Sequence, residues 1–579
     1  MSRLSAFTLF ALFARLTSAT LYESVSSLPS TNFDYIIVGG GTAGCVLANR
    51  LSEDGNVKVL LLEAGGNYPQ QLEVPFASIR SAGFGSQWDW NYTTTSGSPY
   101  GRGYVLGGSS SVNGMFYARG SKEDWDRYAT FTKDDNWKWD NLQPYFKRNE
   151  DLVPPADGRD TTGQYDPSVH STTGRVGVSL PGFTQSIDQL VLDTIGNDQF
   201  PFKLDYNDGV PLGFGWVQSS IKKGARSSAA TAYLDEETLK RNNLHVLIHA
   251  KATRVLPSGD KTKLTASREV VLSAGVIGTP YLLLSSGIGD GATLSSLNIP
   301  VIKDLPDVGK KFSDHLNLLN AWALNVSQPF NAATSTTFEK YNLDSTQMAV
   351  ALEQWRKTRT GPLAMNGLSD HVGFLRVSDG EALASFGDPA PGPNSPHYGY
   401  TPINGWAFGK PPTNNSYLSI VATVLHTKSR GSVTLDPSNP AGNPIIDTGI
   451  RADPFDVFAM RDAIKSIFKF IEAAPWVNYL NNSRPLASLQ AVIDASFSDN
   501  ALNSYIASST SAGLHGISTA SMAPADANWG VVNPDLTVKG LKGLRIADAS
   551  VLPFLPSGNP MAPVYIVGER AADFIKASN

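Results

Sequence analysis

The run Phe33 to Val38 is short, β-branched and apolar, and it stops at glycines. Ala43 to Ser52 then carries apolar residues at helical spacing, and Val57 to Leu62 is a second strand-like run. Two buried strands around one helix predict a β-α-β unit, the building block of a parallel sheet. From Trp88 to about Tyr233 the pattern dissolves into Gly-, Pro-, Asp- and Trp-rich stretches; strand-like runs return at Leu244–Ile248 and Val270–Leu272. Val270 to Gly289 carries no charge and has the length of a membrane span. Its glycines, serines and Pro280 instead divide it into a buried strand feeding a buried helix, so no span is expected. Pro454 to Ala474 reads as one amphipathic helix ended before Pro475. The last helix should start near Pro560 and run to Ala577, since proline suits the first turn.

Composition narrows the class. The 579 residues include 47 basic and 52 acidic side chains, and a net charge of -5 offers no basic field for nucleic acid. Hydrophobic residues at 41% against 17% charged exclude a disordered chain. A single cysteine, Cys45, excludes an intrachain disulfide and a multi-thiolate metal site; it is expected to be a small core residue. Residues 1–19 combine Arg3, an apolar stretch and a Thr17-Ser18-Ala19 finish, the form of a secretory leader, with Arg15 arguing against a retained anchor. Asn91, Asn325, Asn414 and Asn481 each open an Asn-x-Ser/Thr triplet, which fits a secreted glycoprotein. No P-loop and no G-x-S-x-G elbow is present, so phosphoryl transfer and serine hydrolysis have no support.

Gly39-Gly40-Gly41-Thr42-Ala43-Gly44 satisfies G-x-G-x-x-G directly after a strand and at the head of a helix. Gly39 suits the tight turn, Gly41 the approach of a pyrophosphate, and Gly44 close packing of helix on sheet. The helix start then offers N–H groups and partial positive charge to phosphate. Glu63 ends the second strand, where a carboxylate accepts from ribose hydroxyls. This disfavours a 2′-phosphate cofactor but leaves FAD and NAD both open.

Further blocks bear on that choice: YVLGGSSSVNGMFYARG at Tyr104–Gly120, SAGVIGTPYLLLSSGIG at Ser273–Gly289, and Asp307-Val308-Gly309 with Asp314-His315. Near the end stand Leu514-His515-Gly516, the run Arg545 to Ser550, and Ser557-Gly558-Asn559-Pro560. In order and spacing, over about residues 33 to 576, these resemble the signature blocks of the glucose-methanol-choline (GMC) flavin oxidoreductases. Trp88–Thr95 and Phe200–Gly209 carry a closer likeness to secreted fungal aryl-alcohol oxidases and pyranose dehydrogenases.

The resemblance implies an α/β fold with a Rossmann-like FAD-binding lobe (32–125, 220–320 and 515–579). The substrate lobe (126–219 and 321–514) would be an antiparallel sheet flanked by helices. It implies FAD-dependent oxidation of a small-molecule alcohol to a carbonyl by hydride transfer to flavin N5, with oxygen or a quinone as acceptor. His515 would be the base and Asn559 would orient the alcohol; a neutral imidazole suits that task. Cofactor contacts carry over to Leu106, Gly107, Ser109, Ser110 and Ser111 along the flavin ring and to Asn113, Gly114 and Met115 at its reactive edge. Ala252 joins this set. Asp548 and Ala549 fall near the ribityl–pyrophosphate region, and Pro560 and Met561 at the helix start facing flavin N1.

Tyr104 stands where covalent-flavin relatives have histidine, so FAD is expected to be non-covalent. Gly114 and Leu514 replace funnel-closing aromatics, so an open site is expected. The segments between Thr95 and Val105 and between Val255 and Arg268 are short against the family. A tailoring dehydrogenase of terpenoid or polyketide biosynthesis is the alternative, and a non-redox lyase or cyclase a further one. A monomer is expected. His245 and His249 are read as sharing one strand face in a structural role, and His315 as supporting the flavin lobe. His397 and Tyr398 are placed either at the substrate entry or in plain surface packing.

Overall fold

The computed structural model describes residues 21–76, 83–256, 264–326, 328–366 and 369–578. The leader at 1–19 and most of the short segment before Arg268 lie outside the described residues. Asn32–Val38 and Val59–Leu62 are neighbours in a six-stranded parallel sheet. Its order is Leu21–Tyr22, Leu244–Leu247, Val59–Leu62, Asn32–Val38, Thr265–Leu272, Leu544–Ile546. Its central residues are apolar on both faces because helices cover both. One helix, Thr42–Leu51, packs against the last, Met561–Ala577. The charge-free stretch divides as expected into the Thr265–Leu272 strand and the buried Gly275–Ser285 helix; no described helix is long and apolar enough to cross a membrane.

A seven-stranded antiparallel sheet forms the second layer. Its order is Arg484–Pro485, Leu316–Leu324, Ser416–Val424, Tyr398–Ile403, His371–Leu375, Gly213–Trp216, with Thr510–Ala512 also pairing Leu316–Leu324. Strand alternation sends Tyr398, Tyr400, Ile420, Ala422 and Val424 into a core with the Pro454–Ile471 helix. Thr401, Ile403, Val421 and Thr423 point the other way, into a cavity between the two sheets.

Three expectations shift. The Pro454 helix stops at Ile471, and Pro475 sits in the first turn of a separate helix, Ala474–Tyr479, where its missing N–H costs nothing. The stretch without periodicity holds two helices, Lys122–Thr132, opened by a Ser121/Asp124 capping box, and Trp139–Asn149, which contains Pro144. They and the turn between them bury Trp125, Tyr128, Trp137 and Phe146 in the core of the parallel sheet, although residues from 126 on are expected in the other lobe. A few large aromatics bury what a regular aliphatic stripe otherwise would. The short segment after Thr95 closes as a tight hairpin, Tyr92–Thr93 paired with Pro99–Tyr100.

Beside the His371–Leu375 strand, Asp188 and Asp370 interact in a buried pocket with Gln185. Burial pushes both carboxyls above the usual range; the Asp188 charge raises Asp370 further, while the hydrogen bond from Asp370 draws Asp188 part of the way back, so the proton of the pair rests on Asp370. A carboxyl raised in the folded state lends stability that is lost as pH rises from the unfolded through the folded pKa. Asp370→Asn should therefore lose less Tm than the wild type as pH rises from about 4 upward in paired thermal melts.

Candidate active site

The cavity between the sheets measures about 1440 Å³, larger than the roughly 300–1,000 Å³ of an ordinary ligand pocket. One wall is the glycine turn. At Gly39 (φ 107°) an added Cβ would stand 2.8 Å from the Ser273 carbonyl carbon, and at Gly44 it would overlap the Gly39 carbonyl, so both glycines serve the protein's own packing. Gly41 differs. Its backbone is ordinary, and a Cβ there would find nothing nearer than Ser273 O at 3.9 Å. The room it leaves belongs to the cavity, as a bound pyrophosphate requires.

Two helices, Thr42–Leu51 and Met561–Ala577, start at this cavity without a side-chain cap and without an acidic residue in the first turn. Their N–H groups remain available to anionic atoms. Glu63 accepts from the N–H groups of Gly40 (2.9 Å) and Gly65 (2.7 Å), and burial pushes its carboxyl up to about 7. Its remaining acceptor capacity faces the cavity, where hydroxyl donors such as those of a ribose would hold it ionised. The donor set fits a dinucleotide.

Gly39, Gly41, Thr42, Ala43, Glu63, Ser109, Ser110, Asn113, Gly114, Met115, Ala252, Asp548, Ala549, Pro560 and Met561 all line the cavity. Gly44, Leu106, Gly107 and Ser111 do not: they stand behind it. Leu106 packs on Gly40, the Gly107 N–H donates to Gly40 O at 2.7 Å, and the Ser111 hydroxyl donates to Leu106 O at 2.8 Å. Asp548 is occupied within the protein, accepting from Gly275 N–H, the Thr279 hydroxyl and Ser550 N–H, so it shapes the wall. Asn113 is held by Met115 N–H and by Arg226, each at 3.0 Å; nothing in the sequence pattern marks Arg226.

His515 and Asn559 meet at the cavity, His515 Nε2 lying 2.9 Å from Asn559 Nδ2. An amide nitrogen only donates, so Nε2 accepts. On the other side, His515 Nδ1 lies 3.0 Å from His315 Nδ1, and His315 Nε2 lies 3.3 Å from the Pro556 carbonyl. A carbonyl only accepts, so His315 carries its proton on Nε2 and its Nδ1 is bare. His515 must then donate through Nδ1. Both ends of the chain give the same tautomer, with the His515 lone pair on Nε2 toward the cavity.

Burial lowers His515 well below the usual imidazole range, helped by His315 and Arg102, and burial brings His315 down to about 4. Both rings are neutral at physiological pH. Leu514 takes a left-handed backbone (φ 63°) that turns His515 inward. That turn is clamped from three sides. Asp314 accepts the His515 N–H at 2.8 Å and the Tyr100 hydroxyl at 2.6 Å, and Arg102 donates to Leu514 O. The Asn559 loop is anchored in turn by Ser557, whose N–H donates to buried Asp124 at 2.7 Å and whose hydroxyl lies 3.0 Å from His426 Nε2.

Two sequence profiles described as GMC oxidoreductase match residues 33–317 and 427–568. The chain belongs to the GMC oxidoreductases. It is an FAD-dependent oxidoreductase acting on CH–OH donors. It is 40% identical to the dehydrogenase eriK of Hericium erinaceus, covering 97% of each chain. It is 34% identical to pyranose dehydrogenase 3 of Leucoagaricus meleagris over 97% of this chain and 96% of that one. Among solved structures, a fungal aryl-alcohol oxidase matches with a TM-score of 0.80 at 26% identity, over 95% of this chain and 99% of that one.

In this GMC oxidoreductase the other histidines serve the protein's own packing, not all of them where expected. His249 lies past the Leu244–Leu247 strand with φ 55°, so it shares no strand face with His245, which packs on Tyr22 and Phe33. His397 and Tyr398 do not line the cavity. Both are buried: Tyr398, bonded to Asp462, lies on the strand face turned to the helices, and His397, bonded to Asp388, just precedes that strand. His315 touches the candidate base itself. Because a Cβ at Gly41 meets open space, Gly41→Val should fold with an unchanged far-ultraviolet spectrum yet be purified largely without flavin absorbance.

Proposed function

We propose that the chain oxidises an alcohol to the corresponding carbonyl, with His515 as base and Asn559 as the group that orients the substrate oxygen. The His315–His515–Asn559 geometry carries this reading. An alcohol oxygen entering between His515 Nε2 and Asn559 Nδ2 takes the place of their hydrogen bond, donating its proton to the unprotonated imidazole nitrogen and accepting from the amide. The O–H bond breaks toward Nε2 as the C–H bond gives up its hydrogen with both electrons, and the C=O bond forms. Bound FAD supplies the two-electron acceptor for that hydride, with oxygen or a quinone as the final oxidant. The protein's part is orientation, exclusion of water and custody of one proton.

Tyr104 packs edge-on against Trp90, 4.8 Å between ring centroids, which supports FAD held without a covalent link. The asparagines of the four glycosylation triplets are exposed, which supports export as a glycoprotein. The dehydrogenase name of the 40% relative favours redox chemistry over a lyase or cyclase.

The test is anaerobic: purified yellow protein is mixed with sugars, benzylic and aliphatic alcohols, and the flavin band is followed. Bleaching by at least one alcohol, with all FAD released on acid precipitation, is expected. A band that persists across the whole panel would sink the reading.

A further inference from the structure

The cavity extends past the His515–Asn559 pair under the antiparallel sheet, and that sheet face has an unusual chemistry for a site acting on a hydroxyl. His315 immediately precedes the Leu316–Leu324 strand, so Asn317 lies on the same face two residues along, about 7 Å farther on. Asn317 is paired in register with Thr423, Thr423 with Gly399, and Gly399 with Phe374. The next row brings Val421, Thr401 and Val372 together, with Ile403 beyond. Leu425 closes the end nearest His315. No residue that these described strands turn into the cavity is charged.

Most polar groups on this face cluster around Asn317. The Thr423 hydroxyl donates to Asn317 Oδ1 at 2.8 Å, which leaves the Asn317 amide hydrogens to the cavity. Ser511, paired with Asn317 from the Thr510–Ala512 strand, and Thr401 add hydroxyls. At the rim, Phe84 and Phe408 line the opening while 53% and 45% exposed, so the approach is also aromatic.

Building on the alcohol-oxidation reading above, we infer that the substrate is a bulky, mostly hydrocarbon alcohol bearing one further oxygen at the end that reaches Asn317. The hydrocarbon body lies on Val372, Phe374, Val421 and Leu425, and the second oxygen accepts from the Asn317 amide. A sugar, with a hydroxyl on nearly every ring carbon, would turn several of them onto Val372, Phe374, Val421 and Leu425 without partners, which is the costlier mismatch.

The experiment measures anaerobic flavin reduction of the FAD-loaded enzyme by geraniol, 8-hydroxygeraniol, D-glucose and cellobiose. Limiting rate over apparent Kd should be at least about tenfold higher for the two hydrocarbon alcohols than for the sugars. Asn317→Leu should lower the preference for 8-hydroxygeraniol over geraniol by about tenfold, and Val421→Asp should weaken both by at least that much with the flavin spectrum retained. Sugars that reduce the flavin as well as or better than geraniol would overturn this substrate class and leave alcohol oxidation standing. An unchanged 8-hydroxygeraniol preference in Asn317→Leu would overturn the second-oxygen contact. A flavin that no alcohol reduces would take down both readings together.

Discussion

His515→Ala is expected to slow anaerobic flavin reduction by about 10²–10⁴-fold, the usual worth of a positioned general base. The protein should still bind FAD, because no bond from the His515 side chain reaches the glycine turn or either helix start; its side-chain partners are Asn559 and His315. Stopped-flow reduction at saturating alcohol checks this, with the flavin absorbance of the resting variant as control. The loss should fall on the limiting rate more than on apparent Kd, since the contact strengthens only as the proton moves. A variant that reduces at the wild-type rate removes His515 from the chemistry.

His315→Leu is expected to cost about a hundredfold in the same assay, without touching substrate. Leucine deletes the acceptor for the His515 Nδ1 proton, so His515 is free to move that proton to Nε2, where it blocks the lone pair. His315→Asn supplies a side-chain carbonyl at the place of Nδ1 and should recover most of the rate; a loss from overall disruption would not be rescued this way. The pH dependence separates the two further. His315 is lowered from 6.5 to about 4 by burial, so it stays neutral until the medium approaches pH 4, and wild-type reduction should hold down to that limit. The sign for stability follows from the same shift. The unfolded chain takes up the proton first, so stability contributed at neutral pH is lost as pH falls from about 6.5 toward 4, about 3 kcal/mol in all. His315→Leu should show less of that acid destabilisation in Tm, even as its activity is poor.

Much of the cofactor wall is legible along the chain because its determinants are local. A tight turn, a close approach and a helix start each need particular residues within a few positions of one another, as from Gly39 to Gly44. Glu63 is readable for the same reason, at the end of the next strand. The clamp on His515 is not local. Tyr100, Arg102, Asp314 and Leu514 come from separate segments, and no spacing rule links them before the chain is folded. Arg226 beside Asn113 is hidden likewise. The helices at Lys122–Thr132 and Trp139–Asn149 escape detection because few aromatics bury their faces and Pro144 interrupts the second.

By itself the order of residues determined the parallel βαβ core and the dinucleotide turn, since each rests on short-range sterics within a block of neighbouring residues; the histidine–asparagine pair near the carboxyl end was legible only through the resemblance to the GMC family. Only the tertiary structure decided which nitrogen of His515 is bare and which chemistry covers the substrate. The first depends on a carbonyl and a second imidazole, Pro556 and His315, brought together from distant segments. The second depends on strand pairing. A shift of one residue in the register of the antiparallel sheet would turn Val421 and Thr423 to the helices and Ile420 and Ala422 to the cavity, and the sequence of one strand alone does not set its partner.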